Sequence, residues 1–459
     1  RKTYFTLKPL IPSVLFSSSS PMPRNVLPDE LAITPVQRPI QGRVRAPGSK
    51  SITNRVVICA ALAKGTSHIT GALDSDDTRV MINGLQNLGY EIDADWEQHV
   101  ITVRGTGGLV PASHASINCE ASGTTMRFLT ALVSLGHGKY VLDGTTRMRQ
   151  RPIGDLLSAL RSLGINAQAG SAGDCPPVTI QSSGIKESRT RIQGTTSSQF
   201  ASGLALVAPC MPDGLLLELT GTLVSTPYLE MTRNIIESFG GTCEAREPNH
   251  WHILPTGYVA QDYEVEPDAS AASYFAAAAA ITGGTVTLDG LSHTSMQGDI
   301  EFCKALEQMG CIITWSSDTS SCPSVTIEGQ FLQGIDIDMN AISDTVMTLA
   351  VVALFAKGPT SIRNVEHIRD KETDRIRDLA CELQRLGANV EEHPDGLTIY
   401  PAPLRPARIE TYDDHRMAMS LSLAGLRSEG IRIIHPACVG KTFPDYWVVL
   451  ENLTKHSRN

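Results

Sequence analysis

The residues of this chain best suited to chemistry are cations and carboxylates set at the openings of helical stretches. In Pro47-Gly48-Ser49-Lys50-Ser51-Ile52-Thr53-Asn54-Arg55, an ammonium, a hydroxyl and a guanidinium (Lys50, Ser51, Arg55) fall within about one and a half helical turns and can meet one anion. Gly48 permits a tight turn and Ser49 a side-chain cap; a Walker loop fails because Ser49 stands where Gly must precede Lys. Alone, the segment is better explained as a capped helix with a solvated basic face. Ser122-Gly123-Thr124-Thr125-Met126-Arg127 adds a glycine whose backbone N–H can approach a ligand closely, and Arg147, Arg149 and Arg151 crowd the approach to Pro152-Ile153-Gly154. Planar guanidinium forks suit phosphate and carboxylate. Thr195-Thr196-Ser197-Ser198-Gln199 and Val224-Ser225-Thr226-Pro227-Tyr228 supply hydroxyls and an amide for a polyol ring, although capping explains them as readily. The densest group is Arg369-Asp370-Lys371-Glu372-Thr373-Asp374-Arg375, with Asp344 at the preceding helix opening. Lys371 and Arg375, four apart, share a face; a solvated ion-pair ladder is the competing explanation. Arg416 and Lys441 each stand in otherwise apolar surroundings. Asp414 and His415 could suggest a metal, but adjacent residues diverge on a helix and no ligand cluster supports them, so no metal is expected.

These openings recur. A large apolar residue followed by Gly closes successive helical patterns at Leu88-Gly89, Leu163-Gly164, Phe239-Gly240, Met309-Gly310 and Leu386-Gly387, and an alternating strand, a turn and a second strand follow. Six helix openings (Ser49, Ser122, Thr196, Asp268, Ser343 and Asp413 regions) predict six α/β units, three per lobe. A helix start carries unpaired N–H groups and the positive dipole end. Several converging on one cleft would hold a polyanion.

With 459 residues, 41% hydrophobic and 19% charged, the chain has volume for two or three domains. The net charge of −9 disfavours a protein built mainly for nucleic acid or acidic membranes. Ten scattered cysteines without a C-x-x-C pair read as reduced thiols, and the longest strongly apolar stretch, 346–356, is too short to span a bilayer. Residues 1–33 read as an extension, disordered or a non-native start, with Met22 a plausible true start. The expected compartment is the cytoplasm, or a plastid if residues 1–28 are a transit peptide.

Together, Pro47 to Arg55, Arg151-Pro-Ile-Gly154, Ser197-Ser198-Gln199, Lys371 to Arg375, Asp414-His415-Arg416 and Lys441 to Tyr446 resemble the 5-enolpyruvylshikimate-3-phosphate synthase family, over residues 34 to 453. The resemblance implies the two-lobed α/β enolpyruvyl transferase fold of six βαβαββ units. One lobe is expected from 34–47 plus 269–459 and the other from 48–268, with the site in the cleft between them. It implies transfer of the enolpyruvyl group of phosphoenolpyruvate to the 5-hydroxyl of shikimate 3-phosphate, with release of phosphate, no cofactor, and a monomer. By matching position, Lys50, Ser51, Arg55, Ser197, Ser198, Gln199, Ser225, Tyr228, Asp344, His367 and Lys371 look like shikimate-phosphate contacts. Lys50, Gly123, Arg151, Gln199, Arg375, Arg416 and Lys441 resemble the phosphoenolpyruvate clamp. Asp344 resembles the carboxylate that deprotonates the hydroxyl and Glu372 the acid that protonates the methylene carbon, with Lys371 and Lys50 beside them. Ala121 and His367 replace asparagines of the family pattern; Cys438 is a neighbour of the site. Glyphosate is expected to compete with phosphoenolpyruvate, given Gly123. The rivals are the UDP-amino-sugar enolpyruvyl transferase, a noncatalytic phosphometabolite-binding protein, and one segment of a multifunctional shikimate-pathway polypeptide.

Overall fold

Six helices are buried on nearly every side. They are Lys50–Leu62, Gly123–Leu132 and Ser198–Val207 in one core, and Ala269–Thr282, Val346–Ala353 and His415–Ser422 in another. A helix without a solvated face must be interior, and the many Ala, Gly and Ser residues along these six let them pack closely. The computed structural model describes residues 27–458 apart from 172, 196, 248, 318 and 319. Thr196, expected at a helix opening, and most of the expected extension, residues 1–26, therefore lie outside the described residues.

One apolar core joins Ile33, Ile40, Val44 and Ala46 to residues from Ala269 to Leu453; the other runs from Ile52 to Val265. Around five of the six inner helices the unit is βαβαββ. The strand His114–Asn118 leads to the inner helix Gly123–Leu132, the strand His137–Asp143, the outer helix Gly154–Ser162, and the hairpin Asn166–Ser171 with Cys175–Ser183. The first two strands pair in parallel and the hairpin adds antiparallel. Outer helices are amphipathic: Arg375–Arg385 buries Ile376, Leu379, Ala380 and Leu383 at helical spacing. The five glycines that close the outer helices all have left-handed φ, between 80° and 112°, which glycine adopts without a Cβ penalty.

Two units borrow their first strand from across the chain. Tyr263–Glu264 pairs with Lys64–Thr70, and Gln41–Val44 with Thr285–Asp289. Among the described residues no hairpin follows the helix Tyr446–Thr454 of the sixth unit, and here the sequence reading needs correction. Glu30–Ala32, assigned to the extension, is a strand antiparallel to Ile431–Ile434 and the third member of the sixth sheet. With no hairpin to cover it, that strand edge would be left unpaired.

The chain passes between the cores twice, side by side: Ser49 N–H donates to the Glu266 carbonyl at 2.8 Å and Asp268 N–H to that of Pro47 at 2.8 Å. A Cβ at Gly48 would lie 1.9 Å from the Gly71 carbonyl oxygen, so no other residue fits this crossing. No helix among the described residues is long and apolar enough to cross a membrane, and all ten cysteines are unpaired.

Candidate active site

The inner helices present their N-termini to the gap between the two cores. Lys50 and Gly123 are first residues of their helices, capped by Ser49 and Ser122, while Ser197 caps the helix that starts at Ser198. Across the gap, Asp268 caps Ala269–Thr282 and also accepts Lys50 N–H at 3.1 Å, and Asp414 caps His415–Ser422. Asp344 lies in the 3₁₀ turn Asn340–Thr345 that leads into Val346–Ala353. Side-chain oxygens thus take some of the free N–H groups of these termini, and the positive ends of the helix dipoles face one another.

Lys50, Gly123, Arg151, Gln199, Asp344, Lys371, Glu372, Arg375 and Arg416 line a single cavity, together with Asp77, Thr124 and His415. Lys441 reaches its edge, with Nζ 3.0 Å from Glu372 Oε1 and donating to the Ala121 carbonyl at 2.7 Å. Ser197 and His367 line a recess beside it with Arg127, Arg151, Asp370 and Lys371. Tyr228 Oη stands 3.2 Å from Asp344 Oδ2. Ser225 Oγ lies 3.3 Å from His367 Nε2 and 3.3 Å from Ser343 Oγ. Arg55 is turned inward: it donates to Thr232 Oγ1 at 2.8 Å, to the Ser51 carbonyl at 2.9 Å and to Ser202 Oγ at 3.3 Å, with its guanidinium over the Phe128 and Tyr228 rings. Arg55, Ser51 and Ser198 are not on the cavity wall.

The carboxylates are strung between cations. Asp344 accepts from Arg375 at 3.1 Å and Arg416 at 2.7 Å; Glu372 accepts from Arg375 at 2.8 Å and faces Arg151 at 3.8 Å. Asp414 holds the far side of Arg375 at 2.8 Å. Burial by itself would raise the Asp344 and Glu372 carboxyls. The field of Arg416, Arg375 and Lys371 on the first, and of Lys441, Arg375 and Arg151 on the second, holds both well below the usual carboxylate range. Burial, reinforced by Arg375, Arg151 and Arg127 against the pull of Asp344, brings Lys371 down to about 8. Burial and Lys371 take His367 down to about 3, so its ring is neutral. His415 is held neutral by burial and by Arg416 and Lys50. Its Nδ1 lies 3.6 Å from Asp414, and no cluster of three or more metal-ligating side chains occurs among the described residues.

Seven cations (Lys50, Arg127, Arg151, Lys371, Arg375, Arg416, Lys441) meet five carboxylates (Asp77, Asp344, Asp370, Glu372, Asp414) at this place. Arg127, Arg151, Arg375, Arg416 and Lys441 are each under a tenth exposed. The Arg127 Nε and Nη1 and the Arg151 Nε are buried without a partner. Buried cations in excess of their counter-ions are costly, and an anion in the cleft removes that cost.

Two participants escaped sequence reasoning. Asp77, which faces Lys50 Nζ at 3.5 Å and Lys441 Nζ at 3.8 Å, sits in an ordinary capping box opened by Ser75, whose signal is only a helix start. Arg127 lies within a segment singled out for its glycine; one helical turn on from Gly123, it stacks on Phe200 with its centre 5.3 Å from the ring.

Two cores of three repeated units, with their inner helices aimed at a cationic cleft, make up the two-lobed enolpyruvyl transferase fold; a structure of the enolpyruvyl transferase NikO from Streptomyces tendae has the same fold (TM-score 0.69, 17% identity, 92% of this chain and 97% of that one). Residues 35–450 match the family described as EPSP synthase (3-phosphoshikimate 1-carboxyvinyltransferase), and the chain belongs to that family. A relative from Nostoc punctiforme named 3-phosphoshikimate 1-carboxyvinyltransferase is 47% identical over 91% of this chain and 98% of its own length. The structure of EPSP synthase from Acinetobacter baumannii superposes with a TM-score of 0.78 at 26% identity, covering 93% of this chain and 98% of that one.

Proposed function

We propose that the cleft transfers the enolpyruvyl group of phosphoenolpyruvate to the 5-hydroxyl of shikimate 3-phosphate, releasing phosphate. The observation that carries this reading is the surplus of buried guanidinium and ammonium groups, drawn from both lobes, around two carboxylates and a lysine. Two polyanions that repel each other need such a cage. Asp344, fixed by Arg375 and Arg416, takes the hydroxyl proton as the oxygen attacks C2, while the methylene carbon receives a proton from Glu372. Glu372 is ionised in the empty cleft. Incoming phosphate and carboxylate offset the field of Lys441, Arg375 and Arg151 and so raise its proton affinity when an acid is needed. Lys50, Arg151, Arg375, Arg416 and Lys441 then stabilise the charge of the tetrahedral intermediate by preorganised electrostatics, until its methyl group returns a proton to Glu372, the C2–O bond to phosphate breaks, and the leaving phosphate takes the proton held by Asp344. Ser197, Ser198, Gln199, Ser225, Tyr228 and His367 hold the shikimate side, with Arg55 fixing Tyr228 from beneath. One chain supplies every group, so a monomer suffices, and ten free thiols suit a reducing compartment.

The cavity is only about 40 Å³, room for a few waters and far below the ~300 Å³ of a typical ligand site. The lobes must therefore part to admit substrate. Phosphate release with both substrates together, and none with either alone or with a UDP-amino sugar as acceptor, tests the assignment; release only with the UDP-amino sugar would replace it.

Because burial between the joined lobes brings Lys371 down to about 8, kcat/KM for shikimate 3-phosphate should fall above that pH as the ammonium is lost. Lys371→Arg should move the break to higher pH. At Gly123 a Cβ would lie 2.3 Å from Arg127 Nη1 and 2.9 Å from both terminal nitrogens of Arg151. Gly123→Ala should displace these guanidiniums and raise the glyphosate inhibition constant roughly tenfold or more, equivalent to about 1.4 kcal/mol. The KM for shikimate 3-phosphate should stay within about twofold, and an unchanged inhibition constant would refute the placement of Gly123.

A further inference from the structure

Arg147 belongs to the 48–268 lobe, at the entry to the 3₁₀ turn Met148–Gln150, whose Met148 side chain is buried and anchors the turn. Its guanidinium crosses the cleft. Nε donates to the carbonyls of Lys371 at 3.2 Å and Glu372 at 3.0 Å, and Nη2 to that of Lys371 at 2.8 Å; Nη1 reaches Gln150 Oε1 at 3.4 Å. Those two carbonyls lie in the short stretch between the turn Glu366–Asp370 and the helix Arg375–Arg385. Their side chains point the other way, into the cavity.

We infer that Arg147 is a positioning residue for the proton-transfer pair: by gripping the backbone of Lys371 and Glu372 from the opposite lobe, it sets both side chains only when the lobes are together. This rests on the reaction proposed above. The grip differs from the other contacts between lobes. Lys441 with the Ala121 carbonyl, and Ser225 N–H with Asn340 Oδ1 at 3.2 Å, close the cleft without touching that backbone. A planar fork holds two successive carbonyls in one fixed geometry, whereas the three donors of an ammonium rotate freely and impose none. Since the closed cavity is too small for substrate, the grip breaks and re-forms in each turnover. Proton transfer is thereby confined to the state in which water has been displaced and the cationic cage is complete. A shift of the pair by an ångström is enough to slow the chemistry by about 10²-fold.

The test uses the full chain with Arg147→Ala and Arg147→Lys, read by kcat and both KM values from phosphate release, by calorimetric titration with shikimate 3-phosphate alone, and by the thermal midpoint of the unliganded protein. The expected result is kcat lower by ~10- to 100-fold in Arg147→Ala, a smaller loss in Arg147→Lys, and partial recovery of the alanine variant with added guanidinium. Affinity for shikimate 3-phosphate alone and the midpoint should stay as in the wild type. A kcat for Arg147→Ala within twofold of wild type overturns the inference, and so does a loss matched by a lowered midpoint or by weakened binding of shikimate 3-phosphate. A wild-type chain that releases no phosphate overturns instead the reaction on which the inference rests.

Discussion

Glu372→Gln should lower kcat by ~10²- to 10⁴-fold while leaving the affinity for phosphoenolpyruvate unchanged or tighter. The amide keeps the shape of the acid and can still accept from Arg375, so the packing around it survives. What it loses is a transferable proton and a negative charge that stands 3.0 Å from Lys441 and 2.8 Å from Arg375. Freed of that charge, both cations can turn wholly to the incoming phosphate and carboxylate. A drop in kcat with no rise in the dissociation constant is thus the signature of a group used in the chemical step. A raised dissociation constant for phosphoenolpyruvate would instead mark Glu372 as part of the scaffold.

Arg375→Met should abolish measurable turnover and also cost about 3–5 kcal/mol of stability, the usual consequence of leaving buried charges without a partner. Arg375 is 1% exposed and binds Asp344, Glu372 and Asp414 at once. Its removal sets three carboxylates against one another in a space with room for only a few waters. The thermal midpoint should fall by on the order of 10 °C at neutral pH. The sign of the pH dependence follows from the depressed Asp344 and Glu372 carboxyls. Their stabilising contribution in the wild type is complete above the unfolded-state pKa, near ~4, and is lost as pH falls through the folded-state values. The gap between wild type and variant should therefore be widest near neutrality and narrow in acid. A gap independent of pH would mean that Arg375 acts through packing alone.

Much of this architecture is written locally. The five closing glycines and the capped openings at Ser49, Ser122 and Asp268 announce the repeats, because a left-handed residue and an N-cap are requirements of single helices. The grouping of Lys371, Glu372 and Arg375 is equally plain from their nearness in sequence, although the expected shared helix face is not what joins them: Lys371 and Glu372 precede the helix Arg375–Arg385, and the extended backbone at Lys371 turns them to the cavity. What the sequence hides is whatever depends on two lobes meeting. Asp77 looks like any first-turn acid until Lys50 and Lys441 arrive beside it, and Arg147 looks like a surface arginine until the backbone at 371 and 372 faces it. The strand Glu30–Ala32 was missed for a similar reason: its partner lies at the far end of the chain, and three residues carry no periodicity. Arg55 shows the converse. Its spacing from Lys50 suits a shared anion, but buried hydroxyls and carbonyls within its own lobe take most of its donors.

The paired crossings at Gly48 and Pro267 also bear on how the polypeptide is made. Everything from Ile52 to Val265 packs against itself, whereas Gln41–Val44 must wait for Thr285–Asp289, and Glu30–Ala32 for nearly the whole remaining sequence. On the ribosome, the middle of the protein can therefore mature first, held at a double-stranded neck, while Glu30–Ala32 and Gln41–Val44, translated before it, find their places later.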